Sequence, residues 1–333
     1  MSLVTSLNAL LGIRAPIVVG PMTAVTDAKL VIAAAEAGIV AGIPPHNYRT
    51  LDGFKGALRD IRQGTRGPFA VNLIVNKANV LLRGQLDAAL EAETPIYITS
   101  LGDPREVIRR AHDAGAKVVC DVSTVAHGLK VRDAGADALN AVVAGAGGHA
   151  GHISPFALVP ALVDRVGLPV ICAGGVADGR GLAAAIALGA CGVQMGTRFI
   201  ASRECSVPDG YKRAIVDATA DDLVLTERLS GVMGSYLRTP DLDRLGTALP
   251  LPIQLLMRGK RTRGPTQKVM MVLASRRMSA VRREERALWS AGQSADLVHA
   301  IATVTEMVEH TLAEYERACA AGAGVGRGAT SPA

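Results

Sequence analysis

Two histidines three residues apart stand in a loop made almost wholly of small residues, Ala144-Gly145-Ala146-Gly147-Gly148-His149-Ala150-Gly151-His152. Imidazole is the side chain that gains or loses a proton near neutral pH. A loop this rich in glycine has no bulk to fill a core, so a ligand can come close to the ring. Most histidines in proteins are structural. The placement of this loop after a strand-like run favours a proton-transfer role for one of the two, His149 or His152, and His152 is also a candidate substrate contact.

Two further loops offer backbone chemistry. They are Ala173-Gly174-Gly175-Val176-Ala177-Asp178-Gly179 and Met195-Gly196-Thr197-Arg198-Phe199. Without a Cβ, peptide N–H groups can approach a phosphate, and a following helix N-terminus adds a favourable dipole. Plain tight turns are the alternative, but two such loops after two late strands fit a phosphate site better. Val19-Gly20-Pro21-Met22-Thr23 opens backbone amides toward a planar ligand. Asn72 interrupts an apolar run with a buried amide that needs partners, either a ring with carbonyl and N–H edges or neighbouring backbone.

These groups need a scaffold, and the sequence describes one. Eight β-branched runs cover residues 16–22, 39–43, 69–75, 96–100, 117–123, 138–144, 168–175 and 192–199. They alternate with helical stretches at 27–37, 51–62, 78–92, 104–114, 124–134, 155–166 and 179–187. The strands are apolar throughout, as expected when both faces of a parallel sheet are covered. Several helices end in Ala-Gly or Leu-Gly, which closes a helix before the next strand. Eight βα units, with no GxGxxG after the first strand, predict a (β/α)8 TIM barrel over 1–205 rather than a doubly wound sheet. After Phe199 the rhythm stops. Helices are expected at 208–216, 265–290 and 295–318, with 217–264 irregular around Pro240, Pro250 and Pro252. Residues 206–294 are read as an excursion over the barrel mouth, 295–319 as a C-terminal helix packing back, and 320–333 as a disordered tail.

Bulk properties narrow the class. The 333 residues are 49% apolar, yet no apolar run reaches the roughly 18 residues of a membrane span. No basic residue precedes the apolar start of the chain, so a signal peptide is not expected, and the reading is a cytoplasmic enzyme. The five cysteines (Cys120, Cys172, Cys191, Cys205 and Cys319) form no CxxC pair, so neither disulfides nor a metal site is expected. Residues 258–286 hold ten Lys or Arg against two acids, an excess larger than the net charge of +6 for the whole chain. That segment is a solvated helix face or a docking site for phosphate or acidic protein. Few aromatics accompany it, which argues against nucleic acid.

Together these segments resemble the nitronate monooxygenase family (formerly 2-nitropropane dioxygenase), a flavin family that includes the enoyl-[acyl carrier protein] reductases using FMN. The resemblance is carried by Ala15-Pro16-Ile17 through Pro21-Met22, Val71-Asn72-Leu73, Ala146 through Gly151, Pro169 through Gly179, Gln194 through Phe199, and Trp289-Ser290-Ala291-Gly292-Gln293. It spans about residues 10–300. It implies FMN at the barrel mouth and His149 as the proton-transferring residue. It also implies Pro21, Met22 and Asn72 facing the ring; Thr23, Asp121, Gly147, Gly148, Ala173 and Gln194 are further cofactor-binding candidates. Gly174, Gly175, Gly196, Thr197 and Gln293 would stand at the phosphate. The chain departs from the family at Gly145, where an acid is common, and at Asp121 and Ser123, where a lysine or another polar residue is common.

Three functions follow. The first is a nitronate monooxygenase, using FMN and O2 to give a carbonyl compound and nitrite from a small nitronate. The second is an NAD(P)H-dependent FMN reductase of enoyl thioesters on coenzyme A or an acyl carrier protein. The third is a non-catalytic barrel, supported only by the missing acid at Gly145. The first is preferred on sequence; the basic segment keeps the second in view. No membrane partner is expected.

Overall fold

The computed structural model describes residues 3–325 except Ala78, Ala150, Lys260 and 282–286. Eleven strands are formed: β1 (Ile17–Val19), β2 (Val40–Ile43), β3 (Ala70–Ile74), β4 (Ile96–Ser100), β5 (Lys117–Val122), β6 (Ala138–Val142), β7 (Gly148–His149), β8 (Val170–Ala173), β9 (Gly192–Met195), β10 (Leu223–Thr226) and β11 (Gly234–Leu237). Eight of them, β1 to β6 with β8 and β9, are parallel and close into a barrel in sequential order. The closing pair is β9 with β1, Gln194 opposite Val18. The fold is the expected TIM barrel.

The strands owe their uniform apolarity to two separate cores. Val18, Val40, Ala70, Ile96, Ile98, Val119, Ala138 and Ile171 point inward and pack on Leu7, Leu11 and Ile13. Leu7 and Leu11 come from an N-terminal helix, Ser6–Leu11, that the β-run pattern does not announce. It plugs the barrel at the N-terminal end of the strands. A Cβ on Gly192, the first residue of β9, would lie 2.5 Å from Leu7 Cδ2. Truncating fully buried Leu7 to alanine would cost about 2–5 kcal/mol. The alternate strand residues, among them Val19, Ala41, Val71, Tyr97, Cys120, Leu139 and Cys172, face the helical ring. Cys120, Cys172, Cys191 and Cys205 are buried.

Several boundaries differ from the sequence reading. The last barrel strand ends at Met195, and Thr197–Ile200 is a single helical turn. Thr, Phe and Ile favour strands, but the turn at Gly196 and the burial of Phe199 and Ile200 override that preference. The helix expected at 78–92 starts at Leu82. The segment 217–264 is not irregular. It contains the antiparallel hairpin β10–β11 and helices Pro240–Leu245 and Leu251–Arg258. Pro240 occupies the first turn of its helix, and Pro252 that of the next, where a missing N–H costs nothing. These prolines start helices instead of breaking them. Helix Arg263–Val281 follows; residues 282–286 of the basic segment lie outside the described residues, and 287–290 is extended rather than helical.

The final helix spans Val304–Val325, not 295–318. Residues Gln293–Leu297 form a 3-10 turn instead. The start is set by a reciprocal cap: Thr303 N–H donates to Glu306 Oε2 at 2.7 Å, and Glu306 N–H donates to Thr303 Oγ1 at 3.2 Å. The helix runs into the segment read as a disordered tail; 326–333 lie outside the described residues. It docks on helix Gly179–Ala187 so closely that a Cβ on Gly179 would meet the Tyr315 nitrogen at 2.1 Å.

Candidate active site

Strand side chains alternate, so residues two beyond the inner apolar layer face the barrel axis at its C-terminal mouth. On one side these are Asn72, Ser100, Asp121 and Asn140, on four adjacent strands. Asn72 Nδ2 donates to Ser100 Oγ at 2.9 Å and to the Ile98 carbonyl at 3.2 Å. Ser100 Oγ donates to Asp121 Oδ2 at 2.6 Å, and Asn140 Nδ2 donates to Asp121 Oδ1 at 2.7 Å. Burial pushes the Asp121 carboxyl above its ordinary range, while the hydrogen bonds from Asn140 and Ser100 pull it down. Among the described residues, Asn140 Oδ1 is buried with no hydrogen-bond partner. An acceptor left open in this way needs a ligand or water to satisfy it. Asn72 thus satisfies its donors within the barrel wall, as the backbone alternative required, and also holds the ladder together.

On the other side the equivalent inward positions are the small residues Gly20, Gly42 and Ala173, and Pro21 packs over Gly42, where a Cβ would come within 3.2 Å of it. Gln194 lies against Gly20. Gly174 and Gly175 have φ of 138° and 72°, conformations that favour glycine, and a Cβ on Gly175 would stand in open space. Thr197 Oγ1 accepts from Gly292 N–H at 2.9 Å, and Gln293 N–H donates to the Gly145 carbonyl at 3.0 Å. Gly147 abuts the backbone of Ala291 and Gly292, with 2.8 Å from a virtual Cβ to the Gly292 nitrogen. Gly145, Gly147, Gly175, Thr197 and Gln293, distant in sequence, therefore meet at one edge of the mouth.

The loop after β1 is fixed by its neighbour after β2. Asn47 accepts from Ala24 N–H at 2.7 Å and donates to the carbonyls of Met22 and Thr26 at 3.0 and 2.8 Å. Pro21 and Met22 are half-buried and Thr23 is exposed. Thr23 Oγ1 lies 2.9 Å from His46 Nε2. Burial, with a smaller contribution from His149, lowers the His46 pKa to about 4. His46 is therefore neutral at pH 7 and faces the same mouth as His149. Sequence reasoning missed it, although Pro44-Pro45-His46-Asn47 directly follows a barrel strand.

His149 lies in β7, which pairs with β11 of the excursion, His149 opposite Gly234. Its ring is open to solvent but recessed among protein atoms, and this desolvation lowers its pKa. Nε2 lies 3.1 Å from Ser230 Oγ, a residue of the excursion. His152 is exposed three residues further on. Ser100, Asn140 and Ser230 join His46 and Asn47 as site residues that no motif announced. Among the described residues, no cluster of His, Cys, Asp and Glu is placed to hold a metal. Nor is any helix long and apolar enough to cross a membrane.

The nitronate monooxygenase family profile matches residues 4–314. The (3aS,4S,5R,7aS)-5-hydroxy-7a-methyl-1-oxo-octahydro-1H-indene-4-carboxyl-CoA dehydrogenase of Mycobacterium tuberculosis is 38% identical over 248 residues, 74% of this chain and 69% of that protein. A nitronate monooxygenase of Paraburkholderia phytofirmans is 32% identical over 277 residues, 68% of this chain and 74% of its own. The structure of FabK from Thermotoga maritima superposes with a TM-score of 0.84 and 35% identity, covering 97% of this chain and 99% of that one. With the barrel and these relatives in agreement, the chain belongs to the nitronate monooxygenase family and is an oxidoreductase.

Proposed function

We propose that this protein is an FMN-dependent oxidoreductase of acyl thioesters of the coenzyme A type, with His149 as its proton-transferring residue. The mouth fits FMN. The Asp121 carboxyl, half-buried at the mouth, is an acceptor suited to an N–H of a flavin ring, and Asn140 behind it holds that carboxylate in place. The open space at Gly175, with the amides of Gly196 and Thr197 at a helix start, suits its phosphate. When bound, FMN supplies hydride exchange.

One observation carries the choice of substrate. Helices Leu251–Arg258 and Arg263–Val281 and the turn between them present Arg258, Arg261, Arg263 and Lys268 to solvent, together with exposed Leu255, Val269 and Leu273. The second helix is seated on the turn next to Ser230, through Gln267 Nε2 donating to the Gly231 carbonyl at 3.0 Å. Cations and apolar surface beside the site suit a phosphate-bearing carrier with an acyl chain; a small nitronate has no use for them. The CoA dehydrogenase relative supports the same class. His149, neutral and recessed, would exchange a proton with the carbon next to the thioester carbonyl. The His149→Ala variant should keep FMN and lose about 10²–10⁴ in kcat; full turnover would remove His149 from the chemistry.

Oxidation of a nitronate is the second reading, favoured by the relative from Paraburkholderia phytofirmans. Anaerobic flavin spectra separate the two. We expect NADPH to bleach FMN-loaded protein and an enoyl-CoA to restore the colour. Bleaching by an alkyl nitronate, with no response to NADPH or any CoA thioester, would overturn the thioester reading.

A further inference from the structure

The tip of the His149 ring is held by the excursion and not by the barrel. Nε2 meets Ser230 Oγ at 3.1 Å, and Ser230 is buried. A serine hydroxyl has one hydrogen to give and two lone pairs. The Val232 carbonyl, 3.2 Å away, can only accept, whereas the imidazole can either give or take; giving the hydrogen to the carbonyl is the assignment that satisfies both. The buried phenol of Tyr236, which stays protonated, lies against Ser230, and the Val232 N–H, at 3.4 Å, is only a long contact, so one lone pair of Oγ is left for the ring. The remaining role of Ser230 Oγ toward the imidazole is to accept, which requires a hydrogen on Nε2. Among the described residues, no hydrogen bond to His149 Nδ1 is formed.

Ser230 is itself fixed from outside. Gly231, at φ 73°, accepts from Gln267 and lies against Met270, where a Cβ would come 3.1 Å from the sulfur. Its own N–H donates to the Glu227 carbonyl at 2.8 Å. The β7–β11 pairing then sets the distance between Ser230 and His149.

We propose that Ser230 is a positioning residue that locks His149 as the Nε2–H tautomer, so that Nδ1 is the nitrogen that exchanges the proton. The inference rests on the reading of His149 as the proton-transferring residue. In one direction the Nδ1 lone pair takes a proton from the substrate carbon and an imidazolium forms. In the other direction that proton returns, and the Nε2 hydrogen stays on Nε2, donated to Ser230 Oγ, throughout. The charged ring keeps its acceptor, which favours the step in both directions.

The test is the tautomer itself, read in full-length ¹⁵N-labelled protein by two-bond ¹H–¹⁵N correlations, with and without FMN. The His149 signals are assigned by their loss in His149→Gln. A protonated Nε2 and bare Nδ1 are expected. Ser230→Ala should give mixed tautomers, an altered pH profile, and a fall in kcat of about tenfold to a hundredfold with KM little changed. Ser230→Thr, which keeps the hydroxyl, should restore all three. A hydrogen on Nδ1 in the wild type, or an unaltered tautomer and pH profile in Ser230→Ala, would overturn the proposal. Full turnover by His149→Gln would instead refute the reading of His149 itself, whatever the tautomer.

Discussion

The two halves of the barrel mouth solve the same problem with opposite means. On β3 to β6, side chains make the surface: Asn72, Ser100, Asp121 and Asn140 form one hydrogen-bonded ladder. Around β1, β8 and β9, side chains are withdrawn, and glycines expose peptide groups. The ladder is part of the protein's own stability, because each member satisfies another in a buried place. The glycine half contributes little packing at its open positions; its shape has meaning only for what binds there. Adding atoms should therefore injure binding on one side, while removing them should injure folding on the other.

The largest effect should come from Gly196→Val. At the Cβ position the protein offers only the flexible Met22 thioether, 3.3 Å away, so the fold accommodates the change. FMN affinity, followed by flavin fluorescence, should fall about a thousandfold, roughly 4 kcal/mol, with the thermal midpoint of the FMN-free protein nearly unchanged. Retained affinity would move the phosphate elsewhere. Next is Asp121→Leu, which strands the Ser100 and Asn140 donors. It should lower the stability of the FMN-free protein by about 3 kcal/mol in urea unfolding. If Asp121→Leu unfolds like the wild type and Gly196→Val does not, the contrast between the halves fails.

Asp121→Asn sharpens the contrast, because an amide keeps one acceptor for the ladder. Destabilisation should stay near 1 kcal/mol. The remaining expected effect concerns acid. His46 titrates near 4 in the folded protein, below the ordinary 6.5. Between those values the unfolded chain binds a proton that the folded chain does not, so stability falls as pH drops through that window and is fully present above it. His46→Gln should remove about 1–2 kcal/mol of that loss, after solvent screening, in melts compared at pH 7 and pH 4.5. Equal acid sensitivity in both proteins would place His46 in open water.

Where the sequence was legible, period and punctuation carried the information. Eight apolar runs separated by helices closed by Gly38, Gly115, Gly135 and Gly189 require a parallel barrel, and all four glycines have positive φ. The cap at Thr303 and Glu306 was equally local, but went unread because Ala295–Val298 looks helical by composition. The prolines of 240–252 misled because their effect depends on whether they fall first in a helix or inside it. The strand expected through Phe199 stopped at Met195, since buried contacts of Phe199 and Ile200 outweigh local preference.

The site divides along the same line. Glycine loops and the AGGH segment are contiguous, so residue order alone was enough to mark Gly174, Gly175, Gly196 and His149 and to fix the barrel that carries them. Ser230 on His149, His46 beside Thr23, and Ser100 between Asn72 and Asp121 join residues 81, 23 and 21 to 28 positions apart. No periodicity encodes such pairs. They exist because barrel closure and the β7–β11 pairing bring remote backbone to one place, where hydrogen-bond geometry then decides which polar groups meet.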